Sequence, residues 1–213
     1  MRRLVVLLVV VAVVALMPAA AFALKSPPTG APCQIPKSGW TFCPYGNLAR
    51  RNLTGAILGY ATLYGANLAG ANLTGAILFG ALLGQANLSG ANLTGANLAD
   101  ANLRGANLAG ADMANANLYN ANLTGAILAG ANLANATIDY ANLFKAFLGG
   151  ANLTGAVLFG AFLGGANLTR AKLDRADLTG VNFEAAKFGG ATFFGATFRY
   201  TVCPSGDVTD TGC

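Results

Sequence analysis

The chain has 213 residues, of which 54% are hydrophobic, 10% are charged and 28 are glycine. This composition excludes a charge-rich disordered chain. Histidine is absent, which excludes the Ser-His-Asp and Cys-His arrangements of nucleophilic catalysis. The formal net charge of +5 is modest, and the spacing described below predicts a single continuous body with an elongated core.

The first 23 residues are typical of a secretory signal peptide. Two arginines precede an apolar run at residues 4–17, and small residues follow up to the expected cleavage site. The run is shorter than the roughly 20 residues that a membrane-spanning helix needs. We therefore expect a mature chain that begins at Leu24, has no membrane span, carries a net charge of +3 and is periplasmic or secreted. An uncleaved membrane anchor is the alternative.

From Gly46 to Tyr200 the chain repeats every five residues. The repeat is plainest at residues 86–108, which read ANLSGANLTGANLADANLRGANL. Every fifth residue from Leu48 to Phe198 is Leu, Met, Ile or Phe, and the residue two positions earlier is almost always Ala. Internal repetition of this regularity decides the fold.

Neither a helix nor a straight strand buries this pattern. An α-helix advances about 100° per residue, so residues five apart are about 140° apart and scatter around the cylinder. In a strand they alternate between the two faces, because the strand period is two. A chain that turns once per repeat does bury the pattern, with Ala and Leu pointing inward and the next two residues forming a corner. The corner residues are mostly Gly or Asn, which tolerate turn dihedrals.

Repeated turning builds a coil, and stacked coils bury a continuous column of leucines. The number of sides per coil is less firmly indicated. Residues 71–90 recur 80 positions later, and residues 51–70 match them at a shift of 20, which favours four sides. The block at residues 121–130 is offset by 50, which is not a multiple of 20. The sequence therefore establishes a period of five and leaves the period of twenty open.

The tandem units ANLTG, ANLAG, ANLSG and ADLTG resemble those of the pentapeptide repeat family, and the resemblance covers residues 46–200. It implies an all-β solenoid, a right-handed four-sided (quadrilateral) β-helix with each Leu and the preceding Ala inside. At about 4.8 Å per coil, the repeat region 47–200 would form nearly eight coils and a rod about 40 Å long. Phenylalanine replaces leucine late in the repeats, so we expect the column to widen toward the C-terminus.

Four cysteines flank the repeats. On a rod of this length Cys43 and Cys203 would lie tens of ångströms apart, whereas a disulfide needs Cα atoms within about 7 Å. We therefore expect two disulfides, Cys33–Cys43 and Cys203–Cys213, rather than a four-cysteine zinc site, in keeping with export. Solenoid ends must be covered, so residues 24–46 and 201–213 are predicted to form disulfide-closed caps.

We find no constellation of catalytic or cofactor-binding residues, and the chain is predicted not to be an enzyme. Asp174, Asp177 and Glu184 are interleaved with Lys and Arg, which is more typical of a solvated ion-pair surface than of an acid–base or metal site. Asp207 and Asp210 faintly resemble a calcium loop, but the ligands are too few.

Large apolar residues at outward positions form two groups. The first comprises Ile57, Tyr60, Tyr64, Ile77, Phe79 and Leu82, and the second comprises Phe144, Phe147, Val157, Phe159 and Phe162. Exposed apolar patches indicate a partner or self-association. Packing between neighbouring coils is the alternative explanation.

These features favour an exported scaffold or protein-binding module that presents flat faces to an unidentified protein or cell-envelope component. The resemblance implies a second hypothesis, because some pentapeptide repeat proteins mimic DNA and bind DNA gyrase. The positive net charge and the export signal disfavour it. Nucleic acid is not an expected partner, because the charges around residues 170–187 are mixed. A third hypothesis is a lattice-binding or polysaccharide-binding rod, suggested by a row of threonines: Thr54, Thr74, Thr94 and Thr154.

Overall fold

The computed structural model describes Cys33 and residues 41–213. The expected signal peptide and most of the expected N-terminal cap lie outside the described residues.

Every pentapeptide of the repeat region up to residue 195 forms the same local structure, a single bridge residue followed by a two-residue turn, and the last one ends in two bends. Parallel bridges join residues twenty apart throughout residues 42–202. The backbone hydrogen bonds follow this register, since Leu68 N–H donates to the Asn87 carbonyl at 2.7 Å and Asn87 N–H donates to the Ala66 carbonyl at 2.8 Å. Four repeats therefore return the chain to the same side, which settles the register that the sequence left open.

The four sides are named by their bridge residues. The first side contains residue 42 and every twentieth residue to 202, and the second, third and fourth sides begin at 47, 52 and 57. Neighbouring sides meet at the two turn residues of each repeat. Tyr60 therefore lies at the corner between the fourth and first sides. Arg50 lies at the diagonally opposite corner, between the second and third sides.

The core is one column of leucine and alanine. From Leu58 to Leu178 each inward residue at these two positions is at most 1% exposed. The predicted inward pair is therefore confirmed. Adjacent residues can have opposite environments, since Leu83 is 0% exposed and Leu82 is 45% exposed.

The corners explain the frequent glycines. Each corner is a β-turn, as where Ala71 N–H donates to the Leu68 carbonyl at 3.0 Å. The third residue of every such turn has a φ of 51–74°, from Tyr45 to Tyr200. This is the pattern of a type II turn, in which Gly and Asn are favoured because most other residues are strained at positive φ.

Gly110 offers a direct test of these turns. Its φ is 64°, and a Cβ added there would meet no atom within 4 Å. We expect Gly110→Asn to be nearly neutral, since Asn115 and Asn120 adopt the same φ. Gly110→Val should lower the free energy of unfolding by about 1–2 kcal/mol, because a β-branched residue is strained in this region. Urea unfolding of the two variants makes the comparison, and equal midpoints would contradict the turn assignment.

The asparagine before many of the leucines has a structural role that we did not infer from the sequence. Its side-chain oxygen accepts the N–H two residues ahead, as Asn72 does from Thr74 at 3.1 Å. Asparagines of successive coils also pair, with Asn152 Nδ2 donating to Asn132 Oδ1 at 3.1 Å. Such a residue therefore starts an Asx turn at the corner, and some of them also tie one coil to the next.

The column widens and then opens at its C-terminal end. Phe183 is fully buried, whereas Phe188, Phe193 and Phe198 are only partly buried. The centroids of successive rings are 4.9, 5.2 and 5.8 Å apart. Within the described residues, the N–H groups of Phe188, Phe193 and Phe198 form no hydrogen bond. The end of the column thus presents apolar rings together with unpaired backbone donors.

The C-terminal tail lies over the first side of the last coil. Strand β1 (Thr201–Val202) pairs antiparallel with strand β2 (Val208–Thr209). Cys203 and Cys213 are disulfide-bonded, with Cα atoms 5.3 Å apart, and Cys33 and Cys43 are bonded with Cα atoms 5.8 Å apart. These are the pairings that the spacing predicts.

The tail leaves part of the column end open. Phe193 and Phe198 line an open cavity of about 440 Å³ together with the last residues, 211–213. In the described part of the chain, no helix has the length and apolar character needed to cross a membrane.

Candidate binding surfaces

Aromatic residues follow one another along the corner between the fourth and first sides. We call this row the aromatic edge; it consists of Tyr60, Phe79, Tyr119, Tyr140 and Phe159. Its rings meet edge to face, with centroids 5.3 Å apart for Tyr60 and Phe79 and 5.4 Å apart for Tyr140 and Phe159. All of these residues except the half-buried Phe79 are exposed. The edge is therefore solvent-facing and consists of a pair of contacting rings and a run of three, which the corner of Ala99 and Asp100 separates.

The rings of the aromatic edge also pack along the stack. A Cβ added to Gly80 would lie 2.6 Å from the ring of Tyr60, and one added to Gly160 would lie 3.0 Å from the ring of Tyr140. Each tyrosine thus covers a glycine of the next coil. These contacts are of the kind that the packing explanation requires, and they hold the rings in place without burying them.

The sequence-predicted patch residues are distributed over three sides. The fourth side and its corner carry Ile57, Ile77, Val157, Tyr60, Phe79 and Phe159; the first side and its far corner carry Leu82, Phe162, Tyr64 and Phe144. Phe147 lies on the second side and is not brought together with the others. The two groups are separated by four coils, about 19 Å.

Tyr119 and Tyr140 were missed by the sequence analysis. They lie between the two groups and extend the second one along the aromatic edge, with ring centroids 5.8 Å apart. The register of twenty would have found them, because Tyr140 is four coils after Tyr60 and Tyr119 is two coils after Phe79.

An open groove of about 540 Å³ lies along the corner between the first and second sides. Tyr64 and Phe144 stand at its two ends, and small residues such as Gly84 and Gly105 line it between them. Lys145 is also a lining residue, and its Nζ lies 5.0 Å from the centroid of the Phe144 ring.

The register of twenty gathers five of the nine Lys and Arg residues of the repeat region around one corner. Five exposed cations lie around the corner between the second and third sides, which we call the basic edge: Arg50, Arg51, Arg170, Lys172 and Lys187. Asp100, Asp139 and Asp177 lie on the fourth side or at its corner with the first. The basic edge therefore faces away from these three aspartates, whereas the other cations of the repeat region lie at the remaining corners: Arg104, Lys145, Arg175 and Arg199.

The expected ion pairs around residues 170–187 are absent from the described residues. Asp174 instead accepts the Phe194 N–H at 2.8 Å, and Asp177 accepts the Thr179 N–H at 3.0 Å. The prediction failed in part because every five residues move the chain to another side, which separates charges that are close in sequence. Asp174 and Arg175 share a corner, but there Asp174 accepts a backbone N–H instead.

The two aspartates of the tail are engaged in local structure. Ser205 Oγ donates to Asp207 Oδ2 at 2.6 Å, and the Tyr200 N–H donates to Asp210 Oδ1 at 2.7 Å. Among the residues that the structure describes, no group of three or more Cys, Asp or Glu side chains is arranged to hold a metal ion.

The surroundings of Asp139 shift the pKa of its carboxyl group. Partial burial raises its pKa above the ordinary value, the N–H of Phe159 at 2.9 Å lowers the pKa, and the charge of Asp177 raises it. With a raised pKa in the folded state, this group favours folding when protonated, so its contribution to stability falls as the pH rises above about 4.

We therefore expect Asp139→Asn to raise the unfolding midpoint slightly at pH 7 and to leave it unchanged at about pH 3, where the aspartate is protonated in both states. Partial exposure keeps the effect small. Thermal unfolding at the two pH values measures it. A variant that is less stable than the parent at pH 7 would show that the hydrogen bond to Phe159 outweighs burial.

The threonine row lies at the corner after the third side. The hydroxyls of Thr54, Thr74, Thr94 and Thr154 each donate to the asparagine two residues earlier at 2.7 Å. Ala114 and Ala134 interrupt the row. Its hydroxyl donors are thus engaged within the rod, which disfavours recognition of a regular lattice through this row.

The family model for pentapeptide repeats matches the chain in 8 copies, over residues 47–85, 86–125, 116–155, 139–175, 163–199 and 176–207. The chain belongs to the pentapeptide repeat family. Proteins of this family fold as right-handed four-sided β-helices, in agreement with the bridges between residues twenty apart. Comparison with curated proteins gives no match.

Several solved pentapeptide repeat structures are similar to this chain. HetL, which is involved in the regulation of heterocyst differentiation in Nostoc sp. strain PCC 7120, is 35% identical, with 79% of this chain and 81% of that chain covered and a TM-score of 0.47. QnrB1, a plasmid-mediated fluoroquinolone resistance protein, is 20% identical over 73% of this chain and 81% of that one, with a TM-score of 0.43. A thylakoid-lumen protein of Arabidopsis thaliana is 28% identical over 48% of this chain and 64% of that one, with a TM-score of 0.22.

Proposed function

We propose that this pentapeptide repeat protein is an exported, non-enzymatic scaffold that binds a protein or cell-envelope partner along its aromatic edge. The observation that carries the proposal is the row of exposed rings at one corner of the rod. Aromatic side chains bury a large apolar area and lose little conformational entropy when they are already held in place. The glycine contacts beneath Tyr60 and Tyr140 supply that immobilisation.

The architecture that we propose for this function is a right-handed rod of nearly eight coils, about 40 Å long. Bridges along residues 42–202 support the length. Residues 24–46 and 201–213 are its caps, and the disulfide at each end supports this division. Residues 1–23 are removed on export. N-terminal sequencing of the exported protein should therefore begin at Leu24, and a sequence that begins at Met1 would contradict cleavage.

Gyrase binding by DNA mimicry fits this chain less well. That function needs ordered negative charge along the rod. Here the aspartates lie mainly on and beside the fourth side, and the opposite corner carries five exposed cations. Likeness to QnrB1 at 20% identity speaks for a common fold and not for a common partner.

The double variant Phe79→Ser/Phe159→Ser tests the aromatic edge. We expect it to weaken partner binding at least tenfold, because it removes one ring from each half of the edge. Binding is measured by affinity capture from the native envelope fraction, followed by quantitation of the captured component. Stability should fall by only about 1–3 kcal/mol, which is the loss of two edge-to-face ring pairs.

Ile127→Ser is the matched control. Ile127 is an exposed apolar residue, 41% accessible, but it lies on the second side and away from the aromatic edge. Its substitution should leave capture unchanged. Equal loss of capture in both variants, or unfolding of the double variant, would favour a purely structural role for the rings.

A further inference from the structure

We propose a second interaction surface, in which the basic edge docks the rod lengthwise on an anionic phospholipid surface. This inference does not depend on the aromatic edge or on its partner, since the two edges are diagonally opposite. It rests on the placement of five cations that the sequence scatters over almost 140 residues.

The cations form two clusters at the two ends of one straight edge. Arg50 and Arg51 lie in the first coil, and Arg170, Lys172 and Lys187 lie in the last coils. Six coils separate Arg50 from Arg170, about 29 Å along the rod. All five side chains are exposed, and none forms an ion pair within the described residues.

Between the clusters the corner itself carries only small residues, and the exposed Ile127 and Phe147 lie beside it on the second side. The turn residues at this corner are glycines preceded by small residues: Gly70, Gly90, Gly110, Gly130 and Gly150. No large side chain at the corner would hold the rod away from a flat surface. Both clusters can therefore contact such a surface at the same time.

Apart from Asp112, the acidic residues of the repeat region lie away from the basic edge. Asp100, Asp139 and Asp177 lie on or beside the fourth side, on the far side of the rod. Asp112 lies on the third side between the clusters, and Asp174 lies at the next corner, where it accepts the Phe194 N–H. The charge distribution thus orients the rod with its basic edge toward negative charge.

A lipid surface fits this spacing better than a nucleic acid does. Duplex DNA carries one charge per about 1.7 Å of its axis and favours a continuous row of cations. An anionic bilayer carries its charge over a plane, and each Lys or Arg near it contributes about fivefold to binding. Two clusters separated by an edge whose only acidic residue in the described chain is Asp112 therefore suit the bilayer.

Vesicle sedimentation with the full chain tests the proposal. The neutral vesicles consist of phosphatidylcholine alone. The anionic vesicles contain about 30% phosphatidylglycerol, which gives them a strong negative surface potential. The neutral vesicles report any binding by the apolar run at residues 4–17. We expect the anionic vesicles to bind at least a hundredfold more strongly, and about 0.5 M salt should abolish the difference.

Two quadruple variants separate the edge from the net charge. The edge variant is Arg50→Gln, Arg170→Gln, Lys172→Gln and Lys187→Gln; the control is Arg104→Gln, Lys145→Gln, Arg175→Gln and Arg199→Gln. Each removes four cations and changes two residues at positive φ, where Gln85 demonstrates that glutamine is accepted. The edge variant should lose about a hundredfold or more in anionic vesicle binding, and the control should lose tenfold or less.

Three results would overturn the proposal. The first is equal binding of the parent chain to neutral and anionic vesicles. The second is equal loss of binding in the two variants when their circular dichroism matches that of the parent. The third is tighter binding to duplex DNA than to anionic vesicles at the same salt concentration, with the same dependence on the edge residues, which would make nucleic acid the ligand. The vesicle experiment does not depend on the aromatic edge. If the aromatic variants fail to affect partner capture, the vesicle-binding result still stands, so each proposal can be contradicted without the other.

Discussion

Leu83→Ala is expected to lower the free energy of unfolding by about 2–5 kcal/mol, whereas Leu82→Ala should change it by less than about 1 kcal/mol. The two leucines are adjacent in the chain. Leu83 is 0% exposed in the central column, and Leu82 is 45% exposed on the first side. Truncation of Leu83 leaves a cavity that stacked coils above and below cannot easily collapse, since their spacing is set by backbone hydrogen bonds.

Urea unfolding followed by circular dichroism measures both variants. The pair is a matched control, because the two substitutions change the same atoms and the same local propensity. Similar losses for Leu82→Ala and Leu83→Ala would contradict the assignment of inward and outward positions.

Removal of the C-terminal disulfide should also have a large effect, on both stability and self-association. We expect Cys203→Ser/Cys213→Ser to lower the free energy of unfolding by about 2–3 kcal/mol and to increase self-association. The tail would no longer be held beside Phe198, so the partly buried rings and the unpaired N–H groups of the last coil would be more accessible. Sedimentation velocity of the oxidised parent and the variant measures the change.

Two further substitutions in this background identify the surface that associates. Phe193→Lys places a charge at the open end of the column and should reverse the self-association. Phe194→Lys places the same charge on a side chain that is 78% exposed and points away from the column, and it should have little effect. An unchanged sedimentation coefficient after loss of the disulfide would contradict the capping role of the tail.

The sequence was sufficient for the core of the fold because one requirement decides it. Residues five apart cannot share a face of a helix or strand, so the chain must turn at each repeat. The inward Leu and Ala and the glycine corners follow directly from that requirement. The cysteine pairs follow from the length of the rod.

The number of sides per coil and the placement of outward residues on them could not be derived from the sequence, because both depend on the register between coils. The period of twenty is set by the angle of each corner, and that angle comes from backbone dihedrals that Gly, Asn, Tyr and Lys all adopt. Without this register, Tyr119 and Tyr140 could not be placed on the aromatic edge, and Arg50 could not be aligned with Arg170. The same uncertainty led to the expectation of ion pairs between sequence neighbours that face different sides.

The register of twenty is tested most directly by pyrene labels on paired cysteines. The native cysteines are all disulfide-bonded, so cysteines introduced as Asn87→Cys and Asn107→Cys can be labelled selectively. Asn87 and Asn107 form a bridge on the second side, and we expect strong excimer fluorescence from this pair. Labels at Asn87→Cys and Asn97→Cys, which are closer in sequence but on opposite sides, should give monomer fluorescence alone. Excimer emission from the second pair and not from the first would contradict the four-sided coil.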